Sequence, residues 1–283
     1  MNRRRFLITG ASALAAGAAG VVGYTLGIEP HWVEVVERAM PVRGLPGALD
    51  GRRMVQVSDL HVGPRVDDGY LVRSLASLAA LRPDVVVITG DLISYVPYDF
   101  DAQLLRLRRV LAALPKPPLG TFATLGNHDY GINWAQPEVA ARVAEELERA
   151  GVRVLRNEAA DVGGLRIVGL DDLWGQRFAP ALVLPGLPAG APAVALSHNP
   201  DTVDLDGWEG FGGWILAGHT HGGQCKPPFL PPPLLPIKNR RYAAGEIALS
   251  GGRTLYVNRG LGHLIQARFN VRPEITVFTL RPA

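Results

Sequence analysis

The sequence predicts an α/β fold in which helices pack outside layers of β-sheet. Three observations carry that reading. Short β-branched runs alternate with segments of helical period up to residue 150, the remainder is strand-rich, and polar clusters follow directly on the apolar runs.

Taken in order, residues 32–37 alternate as a strand does, and residues 54–57 form an apolar run stopped by Ser58-Asp59. Residues 70–81 carry apolar side chains at helical spacing, with Asp67 or Asp68 placed as an N-cap. Val85-Val86-Val87-Ile88 reads as a fully buried strand ended by Thr89-Gly90-Asp91. Residues 100–114 are helical in pattern and closed by Pro115; residues 121–125 form a strand ending at Gly126; residues 137–150 form a helix with Gly151 as its stop. Five further strands follow at 165–170, 194–197, 214–217, 254–258 and 275–280. No linker or repeat divides the chain after residue 50, so one domain over residues 29–283 is expected.

Residues 1–28 stand apart. Arg3-Arg4-Arg5 precede Phe6-Leu7, and residues 7–28 carry no charge. A basic start before an uncharged Ala/Gly-rich stretch is the pattern of an export signal. The same 22 residues are just long enough to span a bilayer of ~30 Å. Cleaved signal and retained anchor therefore both fit, and the positive-inside rule places the rest of the chain beyond the cytoplasm in either case. Arg3 to Leu7 also resembles the twin-arginine export motif, which implies the twin-arginine machinery as a partner.

Lysines and arginines number 29 against 26 aspartates and glutamates; without the three N-terminal arginines the balance is 26 to 26. A neutral domain lacks the field that drives non-specific nucleic-acid binding. Cys225 is the only cysteine, so no internal disulfide is available, and it reads as a small buried hydrophobe rather than a ligand.

The chemistry concentrates in five clusters: Asp59-Leu60-His61, Gly90-Asp91, Gly126-Asn127-His128-Asp129, His198-Asn199-Pro200 and Gly218-His219-Thr220-His221. Each follows a predicted strand, and in α/β sheets the crevice beyond the carboxyl ends of strands is where ligands bind. Carboxylate, amide and imidazole donors suit Mn, Fe or Zn rather than thiophilic ions. In extended backbone, residues i and i+2 point the same way, which lets Asp59 and His61 share one ion. Five of the seven histidines lie in these clusters. His31 and His263 read as structural or solvated, and Asp171-Asp172 as a helix cap.

These motifs, in this order over residues 59–221, resemble the calcineurin-like metallophosphoesterases. The resemblance implies a four-layer α/β/β/α sandwich with two divalent or trivalent metal ions between its sheets. It assigns Asp59, His61 and His221 to one ion and Asn127, His198 and His219 to the other, with Asp91 bridging. His128 would hydrogen-bond the phosphate or protonate the leaving oxygen, with Asp129 orienting its ring. The implied activity is hydrolysis of a phosphodiester or pyrophosphate bond. A phosphomonoesterase and a non-catalytic, metal-stabilised envelope binding protein are the rivals. Arg3 to Leu7, residues 197–201, residues 218–224 and Arg259-Gly260-Leu261-Gly262 look like a bacterial branch of exported or membrane-attached phosphodiesterases. That branch includes UDP-diacylglucosamine pyrophosphatases, which implies a phosphoester substrate that is lipid-linked and met at a membrane surface. A Pro-rich stretch, residues 227–236, begins six residues after His221 and is expected to form a rigid wall near the metals, followed by Lys238, Arg240 and Arg241.

Overall fold

The computed structural model describes residues 3–188 and 190–283. Two six-stranded sheets stack face to face. The first has the order β1 (Glu34–Val42), β12 (Glu274–Pro282), β2 (Arg53–Val57), β3 (Val85–Thr89), β4 (Thr121–Thr124), β5 (Val152–Val154). The second runs β10 (Gly245–Ala248), β11 (Thr254–Val257), β9 (Trp214–Ala217), β8 (Ala193–Leu196), β7 (Leu165–Gly169), β6 (Glu158–Val162). Strands β2 to β5 are mutually parallel, as are β7, β8, β9 and β11.

Strand alternation divides the core into layers. Met54, Val85 and Val87 of the first sheet meet Ile167, Val194, Leu196 and Leu216 of the second. The intervening residues Val55, Val86 and Ile88 face the other way, onto helices α2 (Asp68–Ser77), α3 (Phe100–Leu111) and α4 (Pro137–Arg149). Each helix presents an apolar stripe: Leu71 and Leu75, Leu104 and Leu107, Val143 and Leu147. Asp67 caps α2, its carboxylate accepting the Tyr70 N–H at 2.6 Å. Proline at the first turn of α4 and left-handed Gly151 behind it bound that helix as expected.

The outer face of the second sheet differs from the expected layering. Val168, Ala195, Ile215 and Leu255 are covered there by short 3-10 turns such as Pro200–Asp204 and Arg240–Tyr242 and by loops. Among the described residues no α-helix follows α4. After Arg149 the connections are rich in proline and glycine, which do not sustain helical backbone.

Helix α1 (Arg3–Gly23) projects from this body, and the span Ser12–His31 is apolar, almost wholly exposed and long enough to cross a membrane. Its foot is fastened down. The Thr25 carbonyl accepts the Arg268 N–H at 3.0 Å, and buried Glu29 accepts the Val271 N–H at 2.5 Å.

Candidate metal centre

Parallel topology brings the clusters to one end of both sheets. Asp59 follows β2, Asp91 follows β3 and Asn127 follows β4, while His198 and His219 follow β8 and β9. The sheets are tied together at this edge: the His198 Nδ1–H donates to the Thr89 carbonyl at 2.8 Å, and the His219 N–H donates to the Asp59 carboxylate at 3.1 Å.

Ligand atoms of Asp59, His61 and His221 lie within 4.8 Å of one another, as do those of Asp91, His198 and His219. A third group joins His61, Asp91 and His128. Asp91 links the sets, its Oδ2 standing 3.5 Å from His61 Nε2 and 3.2 Å from His198 Nε2. His221 Nε2 is 3.4 Å from Asp59 Oδ1 and 3.1 Å from His61 Nε2. Both polar atoms of Asn127 are buried without a hydrogen-bond partner. Six of the seven expected ligands thus lie in linked, buried groups, and Asn127 is buried at the end of the neighbouring strand β4.

Outer hydrogen bonds orient three of the histidine rings. His61 Nδ1 is bonded to Ser94 Oγ at 3.0 Å, His198 Nδ1 to Thr89 O, and His219 Nε2 to Pro236 O at 3.0 Å. Their remaining nitrogens, His61 Nε2, His198 Nε2 and His219 Nδ1, face the carboxylates and each other. Such outer partners are the usual support of metal-ligating imidazoles.

Glycine is required at two places here. A Cβ on Gly126 would fall 2.3 Å from Asp91 Oδ1, and one on Gly260, at φ +69°, would fall 2.7 Å from Asp59 Cβ. The second explains the Arg259-Gly260-Leu261-Gly262 motif. Its backbone braces Asp59, with the Leu261 N–H on Ser58 O and the Gly262 N–H on Asp59 O. Arg268, fully buried, clamps the same loop by donating to the carbonyls of Arg259, Gly260 and Gly262.

Electrostatics without a cation are unfavourable. Burial, opposed by His198 and reinforced by Asp91, pushes the Asp59 carboxyl up to about 7. Burial pulls His61 and His219 down to about 3 and His221 well below its ordinary value. Burial acts on His198 in the same direction, but Asp91, Asp59 and Asp172 outweigh it and raise that ring to about 10. Buried carboxylates packed against imidazoles are relieved by divalent cations, and the Asn127 amide is buried without a partner next to them. The residues present fit two metal ions.

Several expectations need correction. Asp129 does not orient the His128 ring: its carboxylate accepts the N–H groups of Leu92, Ile93 and Gly126. It acts on His128 only through the backbone, by tying the two loops together. Asp171 and Asp172 cap no helix. Asp171 binds Tyr130 Oη at 2.5 Å and Arg156 at 3.0 Å, while Asp172 accepts the Gly175 N–H in a turn. His263, by contrast, has the structural role expected of it, buried and bonded to Arg65 O at 2.8 Å. Cys225 is half-buried and belongs to no ligand group, its thiol facing Ala267 O. Ser94, Trp174 and Arg268 escape sequence reasoning, since no local pattern marks them.

Comparison with known proteins decides the family. Residues 52–223 match the model of the calcineurin-like phosphoesterase family. The chain belongs to that family. Among its relatives, phosphodiesterase YaeI of Escherichia coli K12 is 31% identical over 99% of both chains. The Bacillus subtilis metallophosphoesterase YkuE is 34% identical over 99% of this chain and 98% of its own. UDP-2,3-diacylglucosamine pyrophosphatase LpxG of Chlamydia trachomatis is 31% identical over 88% of this chain and 89% of its own. As a calcineurin-like phosphoesterase the chain is a metal-dependent hydrolase of phosphoesters, and the clustered ligands fit binuclear hydrolysis.

Proposed function

We propose that residues 29–283 form one domain that cleaves a phosphodiester or pyrophosphate bond of a lipid-linked substrate outside the cytoplasm. Asp59, His61 and His221 would hold one metal, Asn127, His198 and His219 the second, and Asp91 both. The observation that carries this is the position of Asp91 Oδ2, within 3.5 Å of imidazole nitrogens from both ligand sets. Paired divalent cations, when bound, acidify water and neutralise charge on phosphoryl oxygens.

The chain's own residues supply the rest. The His128 ring stands 5.1 Å from the His61 ring and is only part-buried, so it reaches a phosphate at the site and protonates the leaving oxygen. Its backbone N–H donates to Asp91 Oδ1 at 2.9 Å, which fixes that carboxylate. General acid assistance of this kind contributes roughly 10²–10⁴ in rate.

Two features support the lipid-linked reading. Pro236 touches His219, while Phe229, Leu230 and Leu234 of the same Pro-rich stretch are exposed. The foot of α1 packs beside its start: the Tyr24 ring meets Phe269, whose carbonyl accepts the Lys226 N–H. Residues 1–28 serve as export signal or membrane anchor, with twin-arginine export as the route. The pyrophosphatase named among the relatives acts, by its name, on a diacylated substrate, which supports the lipid-linked reading.

The test compares turnover of bis(para-nitrophenyl) phosphate with that of para-nitrophenyl phosphate, for the wild type and for His128→Ala. Preference for the diester and a loss of roughly 10²-fold or more in the variant are expected. Preference for the monoester identifies a phosphomonoesterase instead. Turnover of neither contradicts the proposed diester hydrolysis. Deleting Phe229 to Leu235 should abolish preference for lipid-linked over soluble diesters; unchanged preference in a folded variant rejects the lip.

A further inference from the structure

The carboxyl end of β7 brings one more acidic pair to the metal edge. Strands β7 and β8 are parallel, and the Leu170 N–H donates to Leu196 O at 2.8 Å. Asp171 and Asp172 therefore leave the sheet beside Ser197 and His198. Across the two sheets the same segment is tied to the Asn127 turn. Thr124 Oγ1 donates to Leu170 O, and Tyr130 Oη donates to Asp171 Oδ1 at 2.5 Å. Two residues beyond Asp172, the Trp174 ring sets its edge against His219, centroids 4.5 Å apart. Residues 170–174 thus border all three residues assigned to the second ion alone: Asn127, His198 and His219.

Asp171 is saturated by Tyr130 and Arg156, and Asp172 is not. Its side chain is buried, with Oδ2 accepting the Gly175 N–H at 2.6 Å and Oδ1 left without a donor. A buried carboxylate oxygen without a partner is costly unless a donor or a cation comes to it. Among the described residues only one other buried carboxylate oxygen is free, Glu29 Oε2 at the foot of α1. Asn127 is orphaned in the complementary way, with Oδ1 and Nδ2 both unpartnered. An amide that gives its oxygen to a cation still has an N–H to place. The charge of Asp172 also reaches this set, since it is among the carboxylates that raise the His198 ring.

We infer that Asp172 is a positioning residue of the second metal ion, its free Oδ1 receiving the Asn127 Nδ2–H when the amide oxygen turns to that ion. This rests on the two-metal reading above and adds a residue to it. An outer carboxylate of this kind fixes the orientation of a ligand and strengthens it as a donor.

Asp172→Asn separates this role from a merely structural one. The variant keeps an oxygen for the Gly175 N–H and puts an N–H where Oδ1 stood, so the turn survives and the acceptor is lost. Mn²⁺ binding to the full-length protein is read by competition with a chelator, and urea unfolding of the chelated protein reads the stability of the fold alone. The wild type should bind two ions. In Asp172→Asn the affinity for one of them should fall roughly 10–100-fold, with the urea midpoint of the chelated protein unchanged. Two ions bound with undiminished affinity overturn the inference. So does a loss of affinity that comes with an equally lowered urea midpoint, which marks a structural turn. Fewer than two ions in the wild type overturn the two-metal reading beneath it.

Discussion

Asp59, His61, Asp91, His219 and His221 all adopt left-handed backbone, with φ between 48° and 71°. Each such residue costs of order 1 kcal/mol or more, so five at one spot imply a compensating interaction. Cations held by these ligands would supply it, and the groups behind the ligands aim them. Ser94→Ala, which removes the partner of His61 Nδ1, should weaken metal affinity by roughly 10–100-fold, read by competition with a chelator. Outside the ligand set, burial brings His263 from its ordinary 6.5 down to about 4. Between those values the unfolded chain binds the extra proton, so stability falls as pH drops through that window. Urea midpoints at pH 7 and pH 5 should differ less in His263→Gln than in the wild type. The ligands were readable because their motifs are local. Ser94, Trp174 and Arg268 reach the site only through tertiary contact, and nothing in their neighbours' identity announces it.

At the scale of elements, loops rather than strands set the precision of the site. Arg268 holds the 259–262 loop under Asp59 through charge-assisted bonds to buried carbonyls. Arg268→Leu leaves those carbonyls unsatisfied and should cost roughly 3 kcal/mol or more of stability in chemical denaturation. Metal affinity should fall with it, since Asp59 loses its brace. Helices α2, α3 and α4 and the central strands follow from periodicity, because each buries a regular stripe. Strands β5, β6 and β10 were not foreseen. They are short edge strands with only one to two buried side chains apiece, too few to show a period.

For the whole molecule, metal and fold are coupled. A ligand bound only by the native state stabilises it by about 4 kcal/mol at a thousandfold excess over its dissociation constant. Chelation should therefore lower the melting temperature, and added Mn²⁺ should restore it; an unchanged melting curve would uncouple the cluster from metal. The two-sheet architecture was legible from strand runs ending in polar clusters. The turn-built outer layer was not, since proline and glycine announce breaks without saying what covers a sheet. Metal content of the protein purified without chelator addresses the shared Asp91 carboxylate most directly. Two ions per chain are expected in the wild type and fewer than one in Asp91→Ala. One ion or none in the wild type, or two ions undiminished in the variant, would contradict a centre built around that residue.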